Sequence, residues 1–153
     1  MPSNSRTREQ TQPTMSPLLR ALTYSRAAHE PVTRAMLLQC YLSLDAFRRG
    51  HGSRDLFMTL ARQLLVADEL CRLGHEPDAI ADFEAAHGAL MHVDTVEKMA
   101  GKWFMGDNDY AQLCVVLEIF DRQLSMASLG DIAKAEARML EGMIRAEQKL
   151  AIV

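Results

Sequence analysis

The sequence predicts an all-α protein, an antiparallel five-helix bundle, and three observations lead to this prediction. Apolar residues recur at helical spacing along most of the chain, and between Tyr110 and Met126 they cover more than one helix face. Most of the eight glycines fall between these stretches, and no run of β-branched residues suggests a strand. The connections between the periodic stretches are short, which favours antiparallel neighbours.

The chain divides into a polar tail and one bundle domain. Residues 1–17 carry three prolines and little to bury, so they are predicted to be a disordered tail. Residues 18–153 are predicted to form a single helical-bundle domain, a size that allows a substantial core. At its start, Leu18, Leu19, Leu22 and Tyr24 are able to form a short helical turn that docks on the body.

The helix boundaries follow from proline, glycine and capping residues. Pro31 disfavours helix in the residue before it, Gly50 and Gly74 end helices, and Ser53 is suited to cap one. Gly88 leaves open whether the third helix is continuous. The predicted helices cover 32–49, 53–73, 77–99, 110–126 with Asp107 or Asp109 as cap, and 131–150 with Asp131 as cap.

Three stripes of apolar residues are predicted to face the core. On helix 1 they are Ala35, Leu38, Leu42 and Phe47. On helix 2 they are Leu56, Leu60, Leu64, Ala67 and Cys71. On helix 4, the centre of the bundle, they are Leu113, Val116, Leu117, Phe120 and Leu124, opposite a polar edge of Glu118, Asp121, Arg122 and Gln123.

The charge is unevenly distributed. The whole chain has a net charge of −3, residues 1–31 contribute four Arg against two Glu (+2), and the rest therefore carries −5. An acidic body argues against a large phosphate-binding face, although not against a small local one. The three cysteines have no metal-ligand spacing, which predicts reduced thiols in a cytoplasmic protein. No apolar run is long enough to predict a membrane span.

One stretch resembles a tetratricopeptide-type helical hairpin. In LLVADELCRLGHEPDAIADFEAAHGAL, Ala67 and Gly74 match the small residue and the turn of that repeat, and Ala79, Phe83 and Ala86 match its second helix. Gln63 and Met91 depart from the usual tryptophan and proline. A weaker echo follows in LGDIAKAEARMLEG, with the two glycines 130 − 74 = 56 residues apart instead of 34. The resemblance implies two helical hairpins and a protein-binding role.

A second resemblance is to small helical bacterial proteins described as Fis-type transcriptional regulators. The stretches RRGHGSRDLF, GKW…DY and VLEIFDRQL carry it. Fis itself has a basic helix-turn-helix at its C-terminus, whereas residues 136–153 here mix acids and bases. The resemblance implies a bacterial regulatory family more than DNA binding.

Two regions are candidates for binding. Trp103, Phe104 and Met105 lie on the connector before helix 4, where large side chains are either core plugs or anchors for a protein partner. Arg48, Arg49, His51 and Arg54 surround the turn before helix 2 and could contact an anion or nucleic acid, or simply cap helices and face solvent.

No complete catalytic, cofactor or metal constellation is present in the sequence. Glu84 and His87 form half of a di-iron motif, and no other His has Glu three residues earlier. We therefore expect a non-enzymatic interaction or regulatory protein that self-associates as a homodimer and binds a protein partner. The alternative is a transcription-linked regulator that contacts DNA through the basic N-terminal arm and the Arg48–Arg54 loop.

Overall fold

The computed structural model describes residues 26–152 of the protein. They form five α-helices and one 3₁₀ turn, with no strand in this range. The helices are α1 (Arg26–Arg48), α2 (Arg54–Arg72), α3 (Ile80–Ala100, preceded by the 3₁₀ turn Pro77–Ala79), α4 (Asp107–Met126) and α5 (Leu129–Ala151). None of these helices has both the length and the apolar content needed to cross a membrane. The predictions for residues 1–17 and 18–24 lie outside the described residues.

Helices α1 to α4 form a closed antiparallel bundle. Each helix packs against the next, and α4 returns to α1. This confirms the predicted all-α bundle. Helix α5 stands outside these four and packs along α2. Its start is fixed beside the end of α2, where His75 Nε2 lies 2.9 Å from Asp131 Oδ2, so α5 runs antiparallel to α2.

Helix α4 supplies the centre of the core, as predicted. The five residues of its apolar stripe, Leu113, Val116, Leu117, Phe120 and Leu124, are all fully buried. On α2, Leu60, Leu64, Ala67 and Cys71 are buried as well, and Leu56 is partly buried. The prediction that Gln123 belongs to a polar edge is wrong, because this side chain is 0% exposed.

Helix α1 differs from the prediction in its start and in the face that it buries. It begins at Arg26 and passes through Pro31, which lies in its second turn and removes only one amide donor. The buried stripe is Met36, Cys40, Leu44 and Phe47. Leu38 and Leu42, predicted to be core residues, are 55% and 59% exposed, and Ala35 is exposed too.

The helix ends combine confirmed and corrected predictions. Ser53 Oγ accepts a hydrogen bond from Leu56 N at 3.3 Å and caps α2 as predicted. Gly74 (φ 98°) follows α2, and α3 continues unbroken through Gly88. Other caps were predicted wrongly: Gly106 caps α4 instead of either aspartate, and Ser128 instead of Asp131 caps α5. Both Asp107 and Asp109 lie in the first turn of α4, where a carboxylate suits the helix dipole.

Of the two predicted hairpins, the structure contains a hairpin of α2 and α3. Ala67, Ala79, Phe83 and Ala86 are buried in it. Helix α5 follows α4 directly, but it packs on α2 instead of folding back on α4. The outer side of α2 accepts Ile132, Ala135 and Met139, because the buried side chains of α4 already face the other three helices. The tetratricopeptide resemblance itself stays a prediction.

Candidate functional site

The two regions predicted to bind partners meet at one end of the bundle. This loop end holds the α1–α2 loop, residues 49–53, and the α3–α4 connector, residues 101–106. Gly52 lies so close to the connector that a Cβ atom there would stand 2.9 Å from Trp103 Cβ and 2.5 Å from the ring of Phe47. The glycine is therefore required by the close approach of the two segments.

The aromatic connector is partly a plug and partly exposed. The Trp103 ring is half-buried, with its centroid 6.2 Å from that of Phe47 and 5.2 Å from that of Phe57. Met105 is only 3% exposed, whereas Phe104 is 60% exposed. Among the three predicted partner-binding residues, Phe104 therefore presents the largest free surface to a partner.

Two of the four basic candidates are engaged by carboxylates. Arg48 forms an ion pair with Asp107, and this hydrogen bond raises the pKa of Arg48. Its guanidinium also lies 4.7 Å from the centre of the Tyr110 ring, within cation–π range. Arg49 Nε lies 2.8 Å from Asp45 Oδ2. These pairs reduce the positive field that the loop offers to an anion.

His51 and Arg54 are the remaining candidates of the basic loop. Both are exposed, and neither forms an ion pair with any residue of the range 26–152. Arg54 is the first residue of α2, whose N-terminal Leu56 N–H group is already bound by Ser53. Of the predicted anion contact, only the side chains of His51 and Arg54 therefore remain. They lie beside the N-terminus of α2, where one backbone N–H group is already hydrogen-bonded.

Apolar side chains are also exposed at the loop end and along α5. Met99, at the end of α3, is 84% exposed. Because α5 runs back along α2, its last turn reaches the same end, with Leu150 78% and Ile152 86% exposed. Further back on α5, Leu140 and Ile144 are 53% and 54% exposed. Apolar groups that cluster on a surface are typical of an interaction site.

The opposite end is held by directional hydrogen bonds. This turn end comprises the α2–α3 turn, residues 73–79, the α4–α5 link, residues 127–128, and the first turn of α5. Gln123 Nε2 donates to Ala67 O at 3.1 Å and to His75 O at 3.0 Å, and it also contacts Cys71 Sγ at 3.4 Å. The Cys71 thiol donates to Glu76 O at 3.0 Å. One buried amide on α4 thus binds three points of α2 and its turn.

Three further contacts tie the same end together. Arg122 Nε donates to Glu76 Oε1 at 2.9 Å, and Glu76 itself has a left-handed backbone (φ 56°). His29 Nε2 lies 2.7 Å from Ala127 O, which joins the start of α1 to the end of α4. The His75–Asp131 contact then adds α5. Helices α1, α2, α4 and α5 therefore all contribute to this network.

Burial makes two of the three thiols, those of Cys40 and Cys71, unreactive. Burial raises the pKa of the Cys40 thiol to about 12 and, with a smaller effect of Asp68, that of Cys71 to about 11. Both thiols therefore stay protonated at neutral pH, which disfavours nucleophilic attack. In the described range, no group of three His, Cys, Asp or Glu side chains is arranged to hold a metal ion, and Glu84 is exposed.

Comparison with known proteins finds no match to any protein-family model, any curated protein or any solved structure. The tetratricopeptide-type and Fis-type resemblances therefore remain predictions from the sequence.

Proposed function

We propose that this protein is a non-enzymatic interaction protein that self-associates through the uncovered apolar side of α5. The supporting observation is that α5 packs chiefly on α2, while Leu140 and Ile144, one turn apart on the same side, remain more than half exposed. Burial of apolar surface is favourable by about 25 cal/mol per Å², so this side of the helix gains free energy from a second chain.

The basic residues of α5 do not oppose this association, whereas Glu136 and Glu147 lie roughly 40° and 20° from Leu140 and flank the contact. At about 100° per residue, Arg138 lies roughly 160° from Leu140 around the helix, and Lys134 lies roughly 120° from it. Both side chains are exposed and stay in solvent when the Leu140 side is covered. The proposal includes a reducing compartment such as a bacterial cytoplasm, because free thiols at Cys40 and Cys71 suit one.

The experiment is sedimentation equilibrium of the full chain, with a double variant Leu140→Asp, Ile144→Asp. We expect the parent to be dimeric and the variant monomeric with unchanged helicity. The matched control is Ile80→Asp, Met91→Asp on α3, since these residues are also exposed (45% and 62%) and should leave the mass unchanged. A monomeric parent, or an equal loss of mass in the control, contradicts the proposal.

The partner-binding part of the proposal places Phe104 at the contact. It is the exposed member of the aromatic connector, and Met99 lies five residues before it at the same end. An exposed aromatic ring and a flexible methionine at one end of the bundle are suited to anchor a protein partner. An apolar contact of this kind should change little between low and moderate salt, unlike binding to DNA phosphates.

A further inference from the structure

Helix α1 carries two apolar stripes on opposite sides, and the bundle covers one of them. The inner stripe includes Met36, Cys40 and Phe47, all buried. The outer stripe consists of Pro31, Ala35, Leu38 and Leu42, which recur at steps of four, three and four residues. At about 100° per residue, Leu38 and Cys40 point roughly 160° apart. The outer stripe therefore faces away from the core, with leucines that are more than half exposed.

Two adjoining shallow cavities accompany the outer stripe and form one groove: the described lining of the first belongs to α1 alone, and the second lies between α1 and α4. One cavity of about 540 Å³ is lined by Glu30, Pro31, Arg34, Ala35 and Leu38. A second cavity of about 380 Å³ shares Leu38 and reaches across to Tyr41, Asp121 and Ser125. The floor is apolar and one rim is formed by α4, so the groove has the shape and the chemistry to hold a short amphipathic segment.

The α4 rim of this groove is acidic. Asp121 lines it, and Glu118 lies one turn earlier on the same helix. The pKa of Tyr41 is raised by burial first and then by these two carboxylates, which places both charges near the groove. Within residues 26–152, neither Asp121 nor Glu118 forms an ion pair. A basic group in the occupant would therefore be favoured.

The chain has a segment of matching chemistry directly before α1. Residues 1–25 end where α1 begins, and Leu18, Leu19 and Leu22 are their main apolar cluster, with Arg20 among them. These 25 residues hold three Arg against one Glu, a net charge of +2, whereas the rest of the chain carries −5. Residues 18–24 thus offer three leucines and one Arg to a groove whose charged groups are the Glu30–Arg34 pair and Asp121.

The distance between the segment and the groove is short enough. Leu38 lies twelve residues into α1 from Arg26, or about 18 Å along the helix axis. Leu18 lies eight residues before Arg26, and an extended chain of that length spans up to about 26 Å. The segment can therefore turn back at Arg26 and reach the outer stripe of its own helix.

We propose that residues 18–24 dock on the outer stripe of α1 in the same chain, with Leu18 and Leu19 on Leu38 and Leu42 and Arg20 beside Asp121. A second copy is a poorer occupant of this face, because each copy would bring the same acidic rim to the contact. The docked segment covers the outer stripe without a second protein. It also holds the basic N-terminal residues against the acidic helical bundle.

The test is limited trypsin digestion of the full chain, with mass spectrometry of the cleavage after Arg20. Arg6 serves as a reference site in the same molecule, outside the docked segment. We expect Arg20 to be cleaved at least about tenfold more slowly than Arg6, since proteolysis follows the undocked population. In the variant Leu38→Asp, Leu42→Asp, cleavage after Arg20 should become about tenfold faster while cleavage after Arg6 stays the same.

The control Ile80→Asp, Met91→Asp removes equally exposed apolar groups from α3 and should leave both rates unchanged. Circular dichroism checks that each variant stays folded. Equal cleavage after Arg20 and Arg6 in the parent, or no response to the α1 variant, overturns the proposal. Protection that grows with protein concentration indicates a second copy and also overturns it. The same digestion in the Leu140→Asp, Ile144→Asp background separates this result from self-association through α5.

Discussion

The two ends of the bundle are held together by different interactions. At the turn end, Gln123, Arg122 and His75 make directional hydrogen bonds that join α4, α2 and α5. At the loop end, Trp103 fills the space between α1 and α2 by packing against Phe47 and Phe57. At the turn end, these polar side chains therefore bond to other residues of the protein. The loop end instead packs one aromatic ring and leaves Phe104 and Met99 exposed to solvent.

This difference indicates which end is available for binding. A side chain whose hydrogen bonds are already made inside the protein has little to offer a partner. The loop end instead exposes Phe104, Met99, His51 and Arg54. We infer that the turn end serves the stability of the fold, and that the loop end is the place where surface changes affect binding and spare stability.

The largest expected effect separates Trp103 from Phe104. Trp103→Ala should reduce the free energy of unfolding by about 3 kcal/mol, because it empties the space between Phe47 and Phe57. Phe104→Ala should change it by less than about 0.5 kcal/mol. The same change at Phe104 should weaken partner binding by more than about 1 kcal/mol. Urea titrations measure the two changes in the free energy of unfolding. A larger loss for Phe104→Ala than for Trp103→Ala would mean that Trp103 is not the residue that fills the core at this end.

A slightly smaller effect is expected for the glycine under the plug. Gly52→Ala should reduce stability by about 2 to 3 kcal/mol, since its Cβ would stand 2.5 Å from the buried Phe47 ring. Gly88→Ala is the matched control: nothing lies within 4 Å of a Cβ there, and alanine should stabilise α3 by about 1 kcal/mol. Thermal unfolding of both variants measures these changes in stability. If Gly52→Ala leaves the stability unchanged, the loop end is loosely packed.

At the turn end, Gln123→Met should reduce stability by about 1 to 2 kcal/mol. The methionine fills the space but leaves His75 O and Ala67 O without their side-chain donor. The control is Gln63→Met on α2, because among residues 26–152 the Gln63 amide bonds only the exposed Gln39 side chain, and its loss should matter by less than about 0.5 kcal/mol. Equal effects in denaturant titrations would show that the buried amide does not hold this end.

The smallest effect on stability is expected for the basic loop. Changing Arg48, Arg49 and Arg54 to alanine should alter the free energy of unfolding by less than about 0.5 kcal/mol, since their ion pairs are exposed. Self-association should persist. Titration with duplex DNA at several salt concentrations tests the alternative function. Loss of a tight, salt-sensitive complex in this variant would favour a DNA-binding regulator over our proposal.

The sequence predicted the parts of the fold that have one dominant pattern. The apolar stripe from Leu113 to Leu124 is continuous, and the helix has no second apolar stripe of similar strength. Both helix α4 and its buried face were therefore predicted. Helix α1 has two stripes of similar strength, and the choice of Leu38 and Leu42 over Cys40 and Leu44 was wrong. Periodicity shows that a helix has an apolar face, but it cannot tell which of two faces meets the core.

The polar network at the turn end had no local signal in the sequence. Gln123 is buried because its partners lie at Ala67 and His75, 56 and 48 residues away. A glutamine among charged neighbours is ordinarily exposed, so pattern alone places it at the surface. At the loop end, the sequence identified both the aromatic connector and the basic loop, but only the tertiary structure shows that Gly52 and Trp103 bring them together.

The position of α5 has a consequence for how the chain acquires its structure during synthesis. This helix is made after the other four described helices, yet the surface that it covers belongs to α2, which leaves the ribosome much earlier. The contacts among α1, α2, α3 and α4 can form first, because these four helices have already been synthesised before α5. Until α5 arrives, the flank of α2 around Leu65 stays open to water and to other nascent chains. The 23 residues of α5 therefore act as an intramolecular cover for a surface of α2 that stays exposed until this helix is made.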